Sequence, residues 1–270
     1  MNGILKGLRV IEGSAFIAAP SAGMNLAQMG AEVIRFDPLG GGLDYRRWPV
    51  TANGESIYWA GLNKGKKSFA VDIRNPRGRE LLTQLISMPG ENNGIFLTNF
   101  PTSGWMSYET MRGRRNDIIM LNIKGNRDGS SEVDYTVNPA TGFPNLTGPV
   151  GEMAPVNHVL PAWDIATGLA AVNGILAADR HRRLTGEGQF ISLALTDMAF
   201  ATLGNLGFIG EAQINGTERT TTGNNLFGAF GRDFITKDGR RLMIVAITGR
   251  QWSALVETAN ISEGVTAIEA

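Results

Sequence analysis

Short apolar runs alternate with helix-like segments through the first half of the chain. Runs rich in β-branched and aromatic residues predict strands at residues 9–12, 32–36, 68–73, 94–98 and 118–123. Helix-like patterns follow at 18–29 and 76–86, the second with Asn75 as N-cap and Pro76 at its first position. Because strands that alternate with helices form βαβ units, we expect an α/β fold with an open, mostly parallel sheet.

The second half of the chain opens with a stretch that has little periodicity. Residues 125–161 are rich in Gly, Pro, Asn and Thr, which predicts a long ordered loop. A strongly apolar segment at 163–181 predicts a helix, followed by a strand at 190–195 and another helix at 197–209. Long loops inside compact domains are often functional, so the loop is a candidate functional segment.

A change of composition indicates a domain boundary late in the chain. Residues 216–231 form a Gly-, Asn- and Thr-rich linker, and two β-rich runs around Asp238 and Gly239 predict a hairpin after it. We therefore expect a large domain at 1–215, the linker, and the start of a smaller α+β domain at 232–270. One further predicted helix is too little for a full independent core.

Composition and charge narrow the class of protein. The 270 residues are 43% hydrophobic and 19% charged, as in ordinary globular proteins, and Lys plus Arg (25) equals Asp plus Glu (25). Zero net charge argues against nucleic acid or an anionic membrane as a partner, since both attract basic surfaces. The absence of Cys excludes disulfides and a cysteine nucleophile, and it fits a cytoplasmic location. No apolar run approaches the roughly 20 residues of a membrane span, and no His, Asp and Glu set has metal-ligand spacing.

Asp164 is the acidic residue with the most suggestive position. It lies at the start of the apolar helix predicted after the long loop. A carboxylate there accepts backbone N–H groups and is favoured by the helix dipole. Position alone fits a plain N-cap, and a role as nucleophile is the alternative.

Glycine-rich and basic stretches are weaker candidates for ligand contact. Residues 39–47 and 220–231 can place backbone N–H groups near a ligand, although flexible loops explain them equally. Neither stretch has the spacing of a dinucleotide fingerprint or a P-loop. Lys66, within the run NKGKK, suits either a phosphate or a solvated edge. Lys124 ends a predicted strand, where ligands gather in parallel sheets.

The order of several segments is more specific than any of them alone. GLRVIEGSAFIAAPSAGMNLAQMGAEVIRFDP is followed by GLNKGKKSFAVDI, IFLTNFP, IKGNRDG, an Asp that opens a Gly/Ala-rich helix, and TGEGQFISLALTD. In this order and spacing the chain resembles the class III coenzyme A transferase family, the CaiB/BaiF group. The similarity covers essentially the whole sequence.

The resemblance implies a Rossmann-like large domain, a smaller second domain and an interlocked homodimer. It implies that Asp164 is the nucleophile and that an acyl-coenzyme A thioester is the substrate, so coenzyme A belongs to the substrate and no separate cofactor is expected. The implied coenzyme A contacts are Ile17, Ala18, Arg35, Asn63, Lys66, Asn99, Phe100, Lys124, Gly125, Asn126 and Arg127.

The sequence also departs from the family pattern. An Arg that often follows the second strand is replaced by Pro38, with Arg35 slightly earlier. Family members are substantially longer and have a C-terminal segment that returns to the large domain. The resemblance therefore suggests a chain that is truncated at its C-terminus.

Some sequence segments are similar to those of one branch of the family. GGGLDYRRWPV, YWAGLNKGKKS, PVNHVLPAWD and LFGAFGRDF resemble members that move coenzyme A between the C1 and C4 carboxyls of a methyl-branched C4 dicarboxylate. The implied reaction is intramolecular and passes through an aspartyl-coenzyme A thioester. Because the diacid is doubly charged, we expect a cation in its pocket, and the candidates are Arg46, Arg47 and Arg232.

Three alternatives remain open from the sequence. One is an intermolecular transferase, in which a different acid accepts coenzyme A. Another is an α-methylacyl-coenzyme A racemase, which needs an acid/base pair. In racemases of this family a His directly precedes the Asp that matches Asp134, and this chain has Val133 at the position of that His. The last is an incomplete chain that binds coenzyme A without turnover.

Overall fold

The computed structural model describes residues 3–152 and 154–261. Its helices and strands are, in chain order, β1 (Arg9–Gly13), α1 (Ala18–Gln28), β2 (Glu32–Asp37), α2 (Ile57–Leu62), β3 (Lys67–Ala70), α3 (Pro76–Ile86), β4 (Ile95–Thr98), α4 (Tyr108–Arg114), β5 (Ile119–Lys124), α5 (Asp134–Ala140), α6 (Phe143–Leu146), α7 (Ala162–Thr185), β6 (Gln189–Ala194), α8 (Leu195–Asn205), α9 (Phe208–Asn215), β7 (Phe230–Ile235), β8 (Arg241–Ala246) and α10 (Gly249–Ala259). None of the helices in these ranges has the length and apolarity that a bilayer crossing requires.

Contacts divide the chain into two compact units. Among the described residues, the first unit contains 3–140 and Leu160–Phe208, and the second contains 141–152, 154–159 and 209–261. This division differs from the predicted large domain of residues 1–215, because residues 141–159 and 209–215 group with the second unit. Within that unit, Val150 lies 3.4 Å from the Cβ position of Gly223, a contact across the sequence that periodicity does not reveal.

The first unit is built on a six-stranded sheet in the order β3-β2-β1-β4-β5-β6. Every neighbouring pair is parallel, which confirms the predicted α/β fold and gives the Rossmann strand order. β4 and β5 are buried along nearly their whole length, as expected for strands covered by helices on both faces. The strand order reverses between β1 and β4. Open α/β sheets bind ligands beyond the carboxyl ends of the strands at such a point, and this region is called the crevice below.

Aromatic side chains fill the core below this crevice. Phe36 stacks on Phe96 with ring centroids 6.3 Å apart, and the Phe100 ring meets Phe36 edge-on at 6.2 Å. Leu82 and Ile86 of α3 are fully buried against the same cluster. These contacts fix the ends of β2 and β4, and with them the floor of the crevice.

The packing of α1 against α7 depends on Gly168. A Cβ at this position would lie 2.2 Å from the Ser21 hydroxyl oxygen and 2.8 Å from the Ala18 carbonyl oxygen. Because Gly168 follows Asp164 by about one helical turn, this close approach brings the start of α1 to the start of α7. The two helices therefore meet at the crevice.

The predicted loop at residues 125–161 is wrong in part, since it contains α5 and α6. α5 carries Pro139 near its end, and its sequence DYTVNPA has weak helix propensity. Tertiary contacts stabilise it instead: Val137 is buried, and the Trp163 indole donates a hydrogen bond to Asn138 Oδ1 at 3.1 Å. Such contacts leave no periodic signal in the sequence.

The second unit contains the predicted hairpin. β7 and β8 pair antiparallel, and Gly239 adopts φ 78° in the turn between them. The following helix, α10, begins with a capping box formed by Thr248 and Gln251. The helix predicted at 197–209 is instead two helices, α8 and α9, separated at Gly207 with φ 82°.

Candidate active site

The turn between β1 and α1 lines the crevice and is tied to the end of β4. Ala15 N–H donates to Asn99 Oδ1 at 2.9 Å, and Asn99 Nδ2 donates back to the Ala15 carbonyl at 2.8 Å. The Thr98 hydroxyl donates to the Gly13 carbonyl at 2.7 Å. Asn99, a predicted coenzyme A contact, therefore uses its amide to fix the turn.

Asp164 is the third residue of α7, and it does not cap that helix. The N-cap residue is Pro161, which has no capping side chain. Asp134 Oδ2 accepts hydrogen bonds from Trp163 N–H at 2.7 Å and from Asp164 N–H at 3.1 Å. Because a buried carboxylate from α5 satisfies the exposed amides, the Asp164 side chain is not needed for this role.

The Asp164 carboxyl group lies in a half-buried, acidic setting. Burial and the nearby Asp134 raise its pKa to about 6, although a hydrogen bond with the Ala18 backbone and the charge of Arg47 oppose the shift. A carboxylate with this pKa is mostly ionised at neutral pH and more basic than an ordinary aspartate. Both properties suit a nucleophile.

Arg47 and Tyr58 lie within range of the charge of this carboxylate. The Arg47 guanidinium carbon lies 5.4 Å from the centroid of the Phe16 ring and 5.2 Å from that of Tyr58. The Tyr58 hydroxyl oxygen is buried and has no hydrogen-bond partner among the described residues. Burial raises the pKa of Tyr58 to about 12, so the hydroxyl keeps its proton and can donate it to a ligand.

Arg35, Asn63 and Lys66 form a buried charged network with three acidic residues. Arg35 donates to Asp37 and to Asp44 at 3.0 Å, while Lys66 Nζ donates to Glu12 at 2.8 Å. Asn63 Oδ1 accepts from both cations. Buried charges need such pairing, and it occupies the donors that the resemblance assigned to coenzyme A. Coenzyme A contact by these residues stays a prediction.

The remaining predicted coenzyme A contacts lie at the carboxyl edge of the sheet. Ile17 is the N-cap of α1 and Ala18 its first residue, while Lys124 ends β5. Phe100 packs its ring into the core. The other predicted contacts interact with the start of α8. The Gly125 carbonyl accepts a hydrogen bond from Thr196 N–H, and Asn126 Oδ1 accepts one from the Thr196 hydroxyl. Arg127 forms an ion pair with Asp197.

The three predicted substrate cations have different positions. Arg47 is the one whose charge acts on the Asp164 carboxyl. Arg46 is its neighbour in the sequence, and both side chains are exposed. Arg232 belongs to β7 in the second unit, where its guanidinium lies 5.4 Å from the centroid of the Phe234 ring.

Sequence reasoning assigned no role to four residues around Asp164. They are Asp134, which caps α7, Asp44, Tyr58, and Phe16, whose ring contacts Arg47. No periodicity marks them, because their roles depend on contacts between distant segments. Asp44 and Tyr58 do lie inside the stretches GGGLDYRRWPV and YWAGLNKGKKS, so the family resemblance was the signal available.

Comparisons with known proteins identify the family of the chain. Residues 5–267 match CoA-transferase family III. The chain is 60% identical over 271 residues to the 2-methylfumaryl-CoA isomerase of Chloroflexus aurantiacus, covering 100% of this chain and 66% of that protein. It is 34% identical over 218 residues to the succinate–glutarate CoA-transferase of Agrobacterium fabrum, covering 74% of this chain and 53% of that protein.

Among solved structures, a CaiB/BaiF family protein from Brucella suis superimposes with a TM-score of 0.80. It is 27% identical, and the match covers 97% of this chain and 71% of that one. The chain thus spans two thirds or less of the length of the two curated relatives described above.

Proposed function

We propose that this chain, which belongs to CoA-transferase family III, moves coenzyme A between the C1 and C4 carboxyls of a methyl-branched C4 dicarboxylate. The substrate would be 2-methylfumaryl-CoA and the product 3-methylfumaryl-CoA. The relative named 2-methylfumaryl-CoA isomerase, at 60% identity, supports this choice of substrate. The observation that best supports this chemistry is the half-buried Asp164 carboxylate, whose pKa is raised to about 6 and which interacts with the charge of Arg47.

The first half of the proposed reaction transfers coenzyme A to the protein. Asp164 attacks the thioester carbonyl and expels the coenzyme A thiolate, leaving a mixed anhydride. The thiolate then attacks the aspartyl carbonyl, and the substrate carboxylate leaves. The products are an aspartyl thioester and a bound dicarboxylate.

The second half of the proposed reaction transfers coenzyme A to the other carboxyl group of the diacid. Its second carboxylate attacks the aspartyl thioester, which forms a new anhydride and releases the thiolate. The thiolate attacks the substrate acyl carbon and expels Asp164 as a carboxylate. Because a carboxylate is both a nucleophile and a leaving group, one residue serves both directions.

Neighbouring groups have separate tasks in this proposal. The Ala18 backbone, which hydrogen-bonds the Asp164 carboxylate, fixes its orientation before attack. Tyr58, protonated and without a partner among the described residues, donates to a substrate oxygen as negative charge develops. Arg47 holds the free carboxylate of the diacid and keeps the acid bound between the two half-reactions.

Coenzyme A itself is proposed to contact the carboxyl edge of the sheet. The contacts carried over from the family are those of Ile17 and Ala18, Asn99 and Phe100, and Lys124–Arg127. Arg35, Asn63 and Lys66 are proposed as further contacts, and hydrogen bonds to Asn63 Oδ1 hold the three together. The interlocked homodimer and the cytoplasmic location also stay proposals.

A second candidate is an intermolecular transferase, favoured by the similarity to a succinate–glutarate CoA-transferase at 34% identity. Racemase chemistry has less support, because Val133 offers no acid/base group next to Asp134.

The proposed function is tested by incubating the protein with 2-methylfumaryl-CoA without added acid and separating the two regioisomeric thioesters. We expect 3-methylfumaryl-CoA to form, and Asp164→Ala to abolish its formation because the covalent carrier is gone. Strict dependence on an added acid would favour the intermolecular transferase. Full turnover by Asp164→Ala would refute the nucleophile.

A further inference from the structure

Phe16 has a backbone conformation that L-amino acids rarely adopt. Its φ is 67°, and among the described non-glycine residues only Asn260 shares a positive φ. Asn tolerates this region, whereas the Cβ of a bulky residue such as Phe is crowded by its own backbone there. Such strain persists where the surrounding structure imposes it, often at functional sites.

Buried polar groups impose the conformation of Phe16. Its N–H donates to Asp44 Oδ2 at 3.0 Å, and Asp44 Oδ1 accepts from Arg35 Nη2 at 3.0 Å. Arg35 and Asp44 are each only 1% exposed. The preceding Ala15 is fixed by both hydrogen bonds to Asn99. Relaxation of the Phe16 backbone would therefore break its hydrogen bond to the buried Asp44 carboxylate.

The ring of Phe16 does not join the hydrophobic core. Phe16 is 40% exposed, and its ring contacts the Arg47 guanidinium, whose other aromatic neighbour is Tyr58. Among the described residues, no carboxylate lies within salt-bridge distance of Arg47. The cation is thus held by aromatic rings while its N–H groups are not committed to a protein carboxylate.

We propose that Phe16 is a positioning residue whose strained backbone places its ring, together with that of Tyr58, as an aromatic clamp on Arg47. The clamp orients the guanidinium toward the free carboxylate of the diacid, the one that does not form the thioester. This inference rests on the proposed function, because it assumes a coenzyme A thioester of a diacid. Aromatic contact restrains a guanidinium without neutralising it, so its N–H groups can bind a planar carboxylate.

The clamp is tested by binding, in an Asp164→Asn parent protein that cannot turn over. Calorimetry compares succinyl-CoA with butyryl-CoA, which differ by a terminal carboxylate in place of a methyl group. We expect the parent to bind succinyl-CoA about tenfold or more tightly than butyryl-CoA, in line with a charge-assisted hydrogen bond. In Phe16→Leu, the preference for succinyl-CoA over butyryl-CoA should largely disappear, while the affinity for butyryl-CoA changes little. Phe16→Tyr keeps an aromatic ring and should keep the preference.

Two further variants separate positioning from folding. In an Arg47→Gln background the ratio should already be lost, so Phe16→Leu should change it less than twofold. Phe16→Gly removes the ring and also the strain, so its melting temperature should match or exceed that of the parent while the ratio falls. The clamp is overturned if Phe16→Leu or Phe16→Gly keeps the binding ratio. It is also overturned if Phe16→Leu reduces the ratio equally in the parent and in the Arg47→Gln background.

The outcome is distinguishable from failure of the proposed function. If Phe16 controls the ratio through Arg47 but the wild type does not interconvert the regioisomers, the clamp stands and the isomerase function falls. If the wild type isomerises and Phe16→Leu retains its kcat/KM, the function stands and the clamp falls. Equal binding of the two thioesters by the parent, or no binding of either, overturns the clamp whatever the reaction.

Discussion

Asp134 and Asp164 are joined through the N-terminus of one helix. Asp134 Oδ2 accepts a hydrogen bond from Asp164 N–H at 3.1 Å, while the charge of Asp134 raises the pKa of the Asp164 side chain. One carboxylate therefore fixes the backbone of the other and also increases its basicity. Burial is the largest cause of the raised pKa of Asp164, and Asp134 adds to it while also fixing the backbone of the proposed nucleophile.

The pH dependence of turnover should follow the ionisation of Asp164. Because the nucleophile must be ionised and its pKa is raised to about 6, kcat/KM should fall as pH drops through 6 and level off above it. Asp134→Asn keeps an acceptor for the helix amides but removes the like charge, so the fall should move to lower pH. The measurement is kcat/KM from about pH 4.5 to 8. An unchanged profile in Asp134→Asn would contradict this electrostatic link.

Asp134→Ala serves as the control for capping. It removes the acceptor as well as the charge, so it should cost about 1 kcal/mol of unfolding free energy, whereas Asp134→Asn should cost less. Urea denaturation followed by circular dichroism gives both values. Equal losses in the two variants would mean that the cap contributes little.

Asp164→Asn should stabilise the folded protein at alkaline pH. A carboxyl whose folded-state pKa is raised favours folding while protonated and loses that contribution as pH rises through about 6. The stabilising effect of Asp164→Asn should therefore be larger near pH 8 than near pH 4, by about 1–2 kcal/mol after allowance for partial exposure. Thermal denaturation at both pH values measures it. A difference of the opposite sign would show that Asp164 is stabilised as a charge.

Gly168→Ala should disturb the contact between α1 and α7. The added Cβ would meet Ser21 Oγ at 2.2 Å, so the helices must separate, at a cost of about 1–3 kcal/mol and a loss of activity. Gly174→Ala on the same helix is the matched control. Its nearest neighbour would be Leu121 at 3.4 Å, an ordinary contact, so it should be neutral or stabilising. Equal effects would remove the case for close packing at Gly168.

Retention of the diacid can be followed with labelled free mesaconate. In a reaction started with unlabelled 2-methylfumaryl-CoA, little label should enter the thioester products, because the bound carboxylate has a high effective molarity. Arg47→Gln should increase labelling and release free diacid, whereas Arg46→Gln, which removes the neighbouring exposed cation, should behave like the wild type. Rapid labelling in the wild type would favour the intermolecular transferase.

The sequence by itself determined the layout of the fold. Alternation of apolar runs and helical patterns predicts the strands of the parallel sheet, and the turn at Asp238 and Gly239 predicts the hairpin β7–β8; both are confirmed. These features depend on residues close in sequence, whose spacing is set by the periods of helix and strand. Asp164 could be placed at the start of a helix for the same reason.

Only the tertiary structure decided the surroundings of Asp164. The Asp134 cap spans 30 positions along the chain, and the bond from Asp44 to the Phe16 amide spans 28. Whether Arg35 is buried and paired or exposed to a ligand depends on which strands become neighbours, not on its local pattern. Burial and charge at the site come from segments distant in sequence, so they arise only when the chain is folded.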